Sequence, residues 1–434
     1  MVIVNNEKVK RLLVEHNPSW KGPDLGEYKD RAVYPGIWAL IGEPQVVSLC
    51  GLRRVGKTSL MKMMIRDLAK KFPADSILYF SFDDFPGKEL LDVIDAFEEM
   101  HGKKPHFLFF DEIQKVPNWA EKVKVLYDTS KCKIVVSGSE SLFLLKGARE
   151  SLAGRIFEFE IKGLTFGEYL DFAGKSAFAA KPGLYERELK AEFGKYLLTG
   201  GFPELVGKQD AGLVRQYIRT AVLEKIVFLD MARIYSIEDP SKLLSILEIL
   251  ISNPGMQVDY ASLSFEQGIS RQTISKYFDY LESAHLVSKL YNYSKNRSTS
   301  EKRLKKYYPT FLSPALAGEP GEAYEGKIIE TACAIQTAAR FFWRDKYKNE
   351  VDLVLLSDGL LLPVEVKYRA NPRRGSGLEK FCKKYSCKEA IVVTRDARGA
   401  SEDGYRTRLV PAYEFFLKGA KDYFRTASYS KTRK

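Results

Sequence analysis

The stretch Gln45-Val-Val-Ser-Leu-Cys50, followed directly by Gly51-Leu-Arg-Arg-Val-Gly-Lys-Thr58, decides the fold of the first part of the chain. It is a short apolar strand that runs into a G-x-x-x-x-G-K-T loop, and an amphipathic helix follows. Glycines let such a loop curl so that its N–H groups point at phosphate oxygens, and the positive end of the helix dipole adds to the attraction. We expect Lys57 to reach the β and γ phosphates and Thr58 to bind Mg²⁺. The residues expected to contact the nucleotide here are Gly51, Arg53, Arg54, Val55, Gly56, Lys57, Thr58 and Ser59.

Strands and helices alternate after this loop, which predicts a parallel sheet covered on both faces. One strand, His106-Phe-Leu-Phe-Phe, ends in adjacent carboxylates. Asp111 is placed to hold Mg²⁺ through water and Glu112 to polarise the attacking water, although two solvated acids at a strand end are the alternative. Ser139, just past the fourth strand, is a candidate contact to the γ-phosphate, although a Ser-Gly-Ser turn needs no such role.

Composition limits the possible partners and location. The chain has 434 residues, more than the roughly 100–200 of one domain, so two to four domains are expected. The formal net charge of +12 favours a polyanionic partner. Five scattered cysteines indicate reduced thiols rather than disulfides or a zinc site. No apolar run reaches the roughly 18 residues of a membrane helix, and no signal sequence is visible, so we expect a cytoplasmic protein without membrane contact.

The middle of the chain is predicted to be helical and then to form a winged helix-turn-helix. Residues 166–237 have a helical pattern broken at Gly200-Gly201-Phe-Pro203. Helices are expected at 241–251, 259–267 and 271–284, followed by two strands around a lysine-rich loop. If the third helix enters a major groove, Arg271, Gln272, Thr273 and Lys276 would face bases and phosphates, and loop lysines including Lys305 and Lys306 would meet phosphates. The alternative is a protein-docking unit with no nucleic-acid contact.

The C-terminal third contains two strands joined by Ser357-Asp358-Gly359-Leu360, a strong signal for a two-residue hairpin turn. This register makes Asp352 face Glu365 and Glu350 face Lys367, with all four on one face. Val351, Leu353, Leu355, Leu362, Val364 and Val366 would form the apolar face. Adjacent carboxylates repel one another unless a cation lies between them, so a metal site is expected there.

Two resemblances follow from these motifs. The first part of the chain resembles archaeal and bacterial AAA-like ATPases related to the signal-transduction ATPases with numerous domains, and the resemblance extends over nearly the whole chain. The residues that carry it are Gly51–Thr58, Phe110–Trp119, Ser137–Ser141, Ser151–Arg155 and Gly200–Glu204. It implies ATP as the nucleotide, and an arginine that completes a neighbour's site in a homo-oligomer: Arg155, with Arg149 as the second candidate and a surface role as the alternative.

The acid followed by Glu365-Val-Lys367 resembles the PD-(D/E)xK nucleases, and the order helix, three strands, helix, strand supports that fold. The resemblance implies that Asp352 and Glu365 hold Mg²⁺, that Lys367 steadies water or phosphate, and that Glu330, or otherwise Glu325, supplies a further acid. Here Val351-Asp352 replaces the usual Pro-Asp. A nuclease-like fold kept only for binding is the alternative.

The predicted fold is therefore α/β with four parts: a P-loop ATPase core at 1–165, a helical lid at 166–237, a winged helix at 238–310 and a restriction-endonuclease-like domain at 311–434. Two functional hypotheses follow. In the first, a Mg²⁺-dependent ATPase acts on DNA, and its ATP state gates a nuclease. In the second, an ATP-controlled switch binds DNA or protein, and its nuclease-like fold is inert. A kinase-like phosphotransferase is disfavoured, because Asp111-Glu112 suits water activation.

Overall fold

The computed structural model describes residues 2–22, 26–83, 89–139, 151–302, 305–316, 321–357, 359–369 and 375–429. The chain divides into two compact units, Met1–Lys162 and Gly163–Lys434. This division falls at Lys162/Gly163, and residues 237 and 310 both lie inside the second unit. Within the described residues, no helix is long and apolar enough to cross a membrane.

The first unit is built on a parallel sheet, as predicted, and this sheet has five strands. Its strands are β1 Val46–Cys50, β2 Ile77–Ser81, β3 Phe107–Asp111, β4 Lys133–Gly138 and β5 Ile156–Glu160. Their order is β2-β3-β4-β1-β5, and all neighbours pair in parallel. Every residue of β1, β2 and β4 is buried, as expected for a parallel sheet covered on both faces. The helices are Val2–His16, Tyr34–Trp38, Lys57–Ala69, Leu90–His101 and Trp119–Thr129.

This topology positions the functional segments of the first unit. β1 and β3 both pair with β4, so the carboxyl ends of these three strands lie side by side. The phosphate-binding loop follows β1, the acidic pair ends β3, and Ser139 follows β4. Segments that are far apart in sequence therefore meet at one sheet edge, where ligands of α/β sheets bind.

The second unit contains a nine-stranded mixed sheet in the order β13-β14-β12-β11-β10-β9-β7-β8-β6. Its strands are β6 Met256–Gln257, β7 Val287–Asn292, β8 Lys306–Pro309, β9 Phe341–Arg344, β10 Glu350–Ser357, β11 Leu360–Lys367, β12 Glu389–Thr394, β13 Gly399–Glu402 and β14 Arg406–Pro411. The α-helices are Phe166–Phe172, Ser176–Ala180, Glu186–Thr199, Ala211–Gln216, Ala232–Tyr235, Pro240–Ser252, Tyr260–Gln267, Arg271–Ser283, Arg297–Lys302, Glu322–Gln336, Ser376–Tyr385 and Ala412–Tyr429, and a π-helix spans Tyr217–Met231.

The helical stretch that opens the second unit is present as predicted, with a break at Gly200 and Gly201. Both glycines have positive φ, 60° and 83°, which allows the chain to turn sharply after the helix Glu186–Thr199. Phe193 of that helix packs on Phe416, with ring centroids 5.1 Å apart. The stretch therefore shares a hydrophobic core with the C-terminal part of the unit.

The elements predicted for residues 238–310 are observed in order: three helices, followed by the antiparallel pair β7 and β8. The short strand β6 adds to β8. β7 also pairs in parallel with β9, so these strands continue the sheet of the C-terminal residues. Hydrogen bonds along one continuous sheet therefore couple the two predicted domains on either side of residue 310.

The order helix, three strands, helix, strand predicted for the C-terminal residues is also observed. β10 and β11 pair from Leu353–Val364 to Ser357–Leu360, which is the predicted register. The prediction that all these apolar residues share one face was wrong for Val351. The reason is that the register of β10 against β9 shifts between Val351 and Val354. Val351 consequently packs in a second core with Val354, on the other side of the sheet from Leu353.

Candidate functional site

The phosphate-binding loop owes its shape to two glycines. Gly51 has a φ of 137°, and a Cβ on it would lie 2.3 Å from the carbonyl oxygen of Ile161, so only glycine fits there. Gly56 has a φ of 97° and immediately precedes the helix Lys57–Ala69. The loop thus runs into a helix amino terminus, where backbone N–H groups are free to bind an anion.

Lys57 is buried inside the loop. Its Nζ donates hydrogen bonds to the carbonyl oxygens of Gly51 and Leu52, both at 2.8 Å. Burial lowers the pKa of Lys57, an effect partly offset by the nearby carboxylates of Glu112 and Asp111. A buried ammonium on this loop supplies the positive charge that phosphate oxygens require.

Asp111 accepts hydrogen bonds from three hydroxyl groups. Thr58 Oγ1 lies 2.6 Å and the Tyr79 hydroxyl 3.0 Å from its Oδ2, and Ser137 Oγ contacts its Oδ1. The oxygens of Thr58 and Asp111 converge, and oxygen ligands of this kind suit Mg²⁺, so these residues fit the predicted ion. Bound there, Mg²⁺ would neutralise charge that develops on the phosphates. Sequence reasoning did not assign a role at this site to Tyr79, in the middle of β2, or to Ser137, near the carboxyl end of β4.

Glu112 lies beside Asp111 in a left-handed backbone conformation with a φ of 54°, which non-glycine residues adopt rarely. Burial raises the pKa of Glu112, an effect that Lys57 opposes. Gln114 Nε2 lies 2.6 Å from Glu112 Oε2 and 3.1 Å from Ser139 Oγ. The structure therefore joins the two predicted residues Glu112 and Ser139 through a glutamine that sequence reasoning did not single out.

The arginines of the first unit have distinct positions. Buried Arg31 donates to the carbonyl oxygens of Val55 at 2.9 Å and Lys162 at 2.8 Å, and so braces the loop from a segment that sequence reasoning passed over. Arg53 is half-buried and Arg54 is exposed. Arg155 is half-buried and pairs with Asp128, Nε to Oδ1, at 3.0 Å. Arg149 lies outside the described residues. A role in a neighbour's site stays a prediction.

A second group of acidic residues surrounds a buried lysine in the second unit. Lys306 of β8 lies 2.5 Å from Glu350 and 3.2 Å from Glu330, nitrogen to oxygen. Tyr308 also donates to Glu330, at 2.6 Å. Burial lowers the pKa of Lys306, but Tyr308, Glu330, Asp352 and Glu350 outweigh burial and hold this pKa well above its ordinary value. Lys306 is therefore a buried counterion, and its assignment to a phosphate-contacting loop was wrong.

The other predicted C-terminal residues are also engaged by protein groups. Asp352 Oδ2 accepts a hydrogen bond from the Val366 N–H at 2.7 Å, and burial, together with Glu330, raises the pKa of Asp352 to about 7. Glu365 pairs with Lys367 at 2.8 Å and accepts from the Gly375 N–H. Glu350 pairs with Lys306 and Arg344.

Two of the predicted metal-binding acids have lysine partners in the structure. Across the described ranges, no three His, Cys, Asp or Glu side chains lie close enough together to hold a metal ion. Glu330 has Lys306 and Lys327 as counterions, and Glu365 has Lys367. Metal binding by Glu330, Asp352 and Glu365 stays a prediction. Glu325, the alternative acid, is exposed on the same helix as Glu330.

The predicted DNA-reading helix, Arg271–Ser283, begins at the N-cap Ser270, whose hydroxyl accepts from the Thr273 N–H at 3.0 Å. Arg271, Gln272 and Lys276 are exposed. The Thr273 hydroxyl lies 2.9 Å from that of Ser270 and so belongs to the helix cap. The opposite side of the helix packs Ile274, Phe278 and Leu281 into the core. The helix thus presents a basic amino-terminal surface on a rigid base.

Comparisons with known protein families divide the chain in three. Residues 43–170 match the family described as "AAA domain". Residues 190–317 and 320–415 match two families described as domains of unknown function, DUF8612 and DUF4143. The first match, the parallel sheet and the phosphate-binding loop together define an AAA-type P-loop ATPase domain.

Relatives along most of the chain include the uncharacterized protein MJ1544 of Methanocaldococcus jannaschii, which is 29% identical over 339 residues and covers 74% of each chain. An uncharacterized protein of Haemophilus influenzae is 28% identical over 337 residues, which are 74% of this chain and 82% of that one.

Two solved structures are similar to this chain at low scores. The Aeropyrum pernix ORC1 protein in complex with DNA has a TM-score of 0.29 and 11% identity, and the match covers 75% of this chain and 91% of that one. CDC6P from Pyrobaculum aerophilum has a TM-score of 0.30 and 12% identity, and the match covers 71% of this chain and 96% of that one.

Proposed function

We propose that this protein is an ATP-hydrolysing switch that binds DNA through the helix Arg271–Ser283, with a nuclease-like C-terminal fold that does not cut. The observation that carries the proposal is Lys306, whose ammonium lies within 3.2 Å of Glu330 and 2.5 Å of Glu350. Two carboxylates that already share a buried lysine have a counterion without a metal. This contact favours the switch over the ATP-gated nuclease, the other hypothesis drawn from the sequence.

In the ATPase site, Lys57 would contact the phosphates, Thr58 and Asp111 would hold Mg²⁺, and Glu112 would polarise water. Water would attack the γ-phosphorus and give a proton to Glu112, while the bond between that phosphorus and the β–γ bridging oxygen breaks and ADP leaves. The convergence of Thr58 and Asp111 at 2.6 Å supports this assignment. Loss of ATP-induced thermal stabilisation in Lys57→Ala tests it, and an unchanged response would refute it.

For DNA binding, we propose that residues 238–310 form a winged helix whose third helix enters a major groove. The exposed side chains of Arg271, Gln272 and Lys276 support this role, as does the net charge of +12. Thr273, whose hydroxyl contacts that of Ser270 in the helix cap, would be a further contact to DNA. Phosphate contacts by Arg271 and Lys276 would make the affinity depend on salt.

Fluorescence anisotropy with a labelled DNA duplex tests this assignment. Arg271→Ala/Lys276→Ala is expected to weaken binding about tenfold and to reduce the slope of log affinity against log salt by about two. A matched double variant, Lys208→Ala/Lys225→Ala, removes two exposed charges elsewhere in the same unit. Equal affinities for the two double variants would contradict the assignment and favour a protein-docking role for the helix.

A further inference from the structure

One side chain of the ATPase site has an unexplained arrangement. Gln114 lies in the 3-10 turn Ile113–Lys115 directly after Glu112, at the carboxyl end of β3. Its Nε2 bridges Glu112 Oε2, at 2.6 Å, and Ser139 Oγ, at 3.1 Å. Its Oε1 is buried and has no hydrogen-bond partner among the described residues.

The chemistry of the contacts fixes the orientation of this amide. An ionised carboxylate only accepts hydrogen bonds, so the atom beside Glu112 is the NH₂ group and the carbonyl oxygen is the atom left over. A buried carbonyl oxygen without a partner costs about 1–3 kcal/mol. Such groups are rare in native proteins and call for an explanation such as a ligand or an ordered water.

We infer that Gln114 positions the hydrolytic water of the ATPase site, by orienting Glu112 through its NH₂ group and accepting a hydrogen bond from the water at its Oε1. The inference rests on the proposed assignment of Glu112. A water held by two acceptors has both hydrogens engaged, and its lone pair is free to attack the γ-phosphorus. The proton passes to Glu112, and Gln114 remains neutral throughout.

The link to Ser139 gives Gln114 a second connection. Ser139 follows β4 and is buried, and its Oγ lies at the same sheet edge as the phosphate-binding loop. A contact between Ser139 and the γ-phosphate would therefore be transmitted to Glu112 through one amide group. Gln114 is thus placed to couple the presence of the γ-phosphate to the orientation of the general base.

Steady-state ATP hydrolysis by the full-length chain tests the inference. Gln114→Ala and Gln114→Glu are both expected to lower kcat about 10- to 100-fold while KM for ATP stays within about threefold. Gln114→Glu keeps the size and the Oε1 acceptor but replaces the NH₂ donor, so it isolates the contact to Glu112. Gln45→Ala removes the same kind of amide at the residue before β1 and serves as the matched control, with kcat unchanged.

Calorimetric titration with ATP separates positioning from a structural role. Both Gln114 variants should bind ATP as the wild type does, because the water and not the nucleotide is affected. Wild-type kcat in both variants, in a protein whose Glu112→Gln variant is inactive, overturns the inference and leaves the ATPase assignment intact. Loss of ATP binding in the isosteric Gln114→Glu variant also overturns it, since this result assigns Gln114 a structural role. A wild-type protein that does not hydrolyse ATP refutes the proposed function itself.

Discussion

The two acidic groups of the molecule differ in what surrounds them. In the first unit, Asp111 is surrounded by the hydroxyl groups of Thr58, Tyr79 and Ser137. In the second unit, Glu330 and Glu365 have lysine ammonium groups as partners. Hydroxyl groups leave the charge of a carboxylate available to a cation, whereas a lysine neutralises it. Carboxylates with the same sequence pattern of a candidate metal ligand therefore differ in their ability to bind a cation.

The largest effect is expected from Glu112→Gln, which removes the proton acceptor and keeps the size of the side chain. Phosphate release should fall about 10²- to 10⁴-fold, because general base catalysis typically contributes this much. ATP binding, measured by calorimetry, should persist. Asp352→Asn is the matched change in the second unit, and its phosphate release should stay within about threefold of wild type. An equal loss of phosphate release in both variants would contradict the claim that only the acidic group of the first unit takes part in ATP hydrolysis.

The effect of removing the buried Lys306 on the free energy of unfolding tests the comparison of the two acidic groups further. Lys306→Met leaves Glu330 and Glu350 without their shared counterion, and breaking a buried pair in this way costs about 3–5 kcal/mol. The control is Lys289→Met in β7, which breaks a more exposed pair with Glu282 and should cost about 0–1 kcal/mol. Urea unfolding measures both free energies. Equal costs for the two variants would show that Lys306 is not an essential counterion.

A smaller effect is expected from the pH dependence of stability. Burial raises the pKa of Asp352 to about 7, well above its ordinary value, so between about pH 5 and pH 7 the folded state binds more protons at this residue than the unfolded state. The contribution of Asp352 to the free energy of unfolding therefore falls as pH rises through this window. Urea denaturation of wild type and Asp352→Asn at pH 5 and pH 7.5 measures this effect. Between these two pH values, the free energy of unfolding should fall more in the wild type than in Asp352→Asn. Parallel pH profiles would contradict a raised pKa.

Much of the first unit follows from sequence because its signals are local. The G-x-x-x-x-G-K-T loop, the strands and the acidic pair are contiguous segments, and parallel pairing then brings their ends together. The contact between Thr58 and Asp111, 53 positions apart, could be anticipated from that rule. Gln114 could have been noticed two residues after Glu112, but its bridge to Ser139 depends on the turn Ile113–Lys115.

The second unit was less predictable because its decisive contacts are tertiary. The hairpin register of β10 and β11 followed from the turn, yet the shift of β10 against β9 moved Val351 to the other face. Lys306 had the pattern of a solvated loop lysine, and its burial depends on β7 joining β9 in one sheet. No local pattern marks a lysine whose partners, Glu330 and Glu350, lie 24 and 44 positions further along.

The most direct test of the account measures two activities in the same preparations. Wild type, Glu112→Gln and Asp352→Asn are incubated with ATP, Mg²⁺ or Mn²⁺, and plasmid and linear DNA, and phosphate release and strand cleavage are followed together. The account predicts phosphate release in wild type and Asp352→Asn, its loss in Glu112→Gln, and intact DNA throughout. Metal-dependent cleavage by wild type that disappears in Asp352→Asn would contradict it, because the second acidic group would then be catalytic.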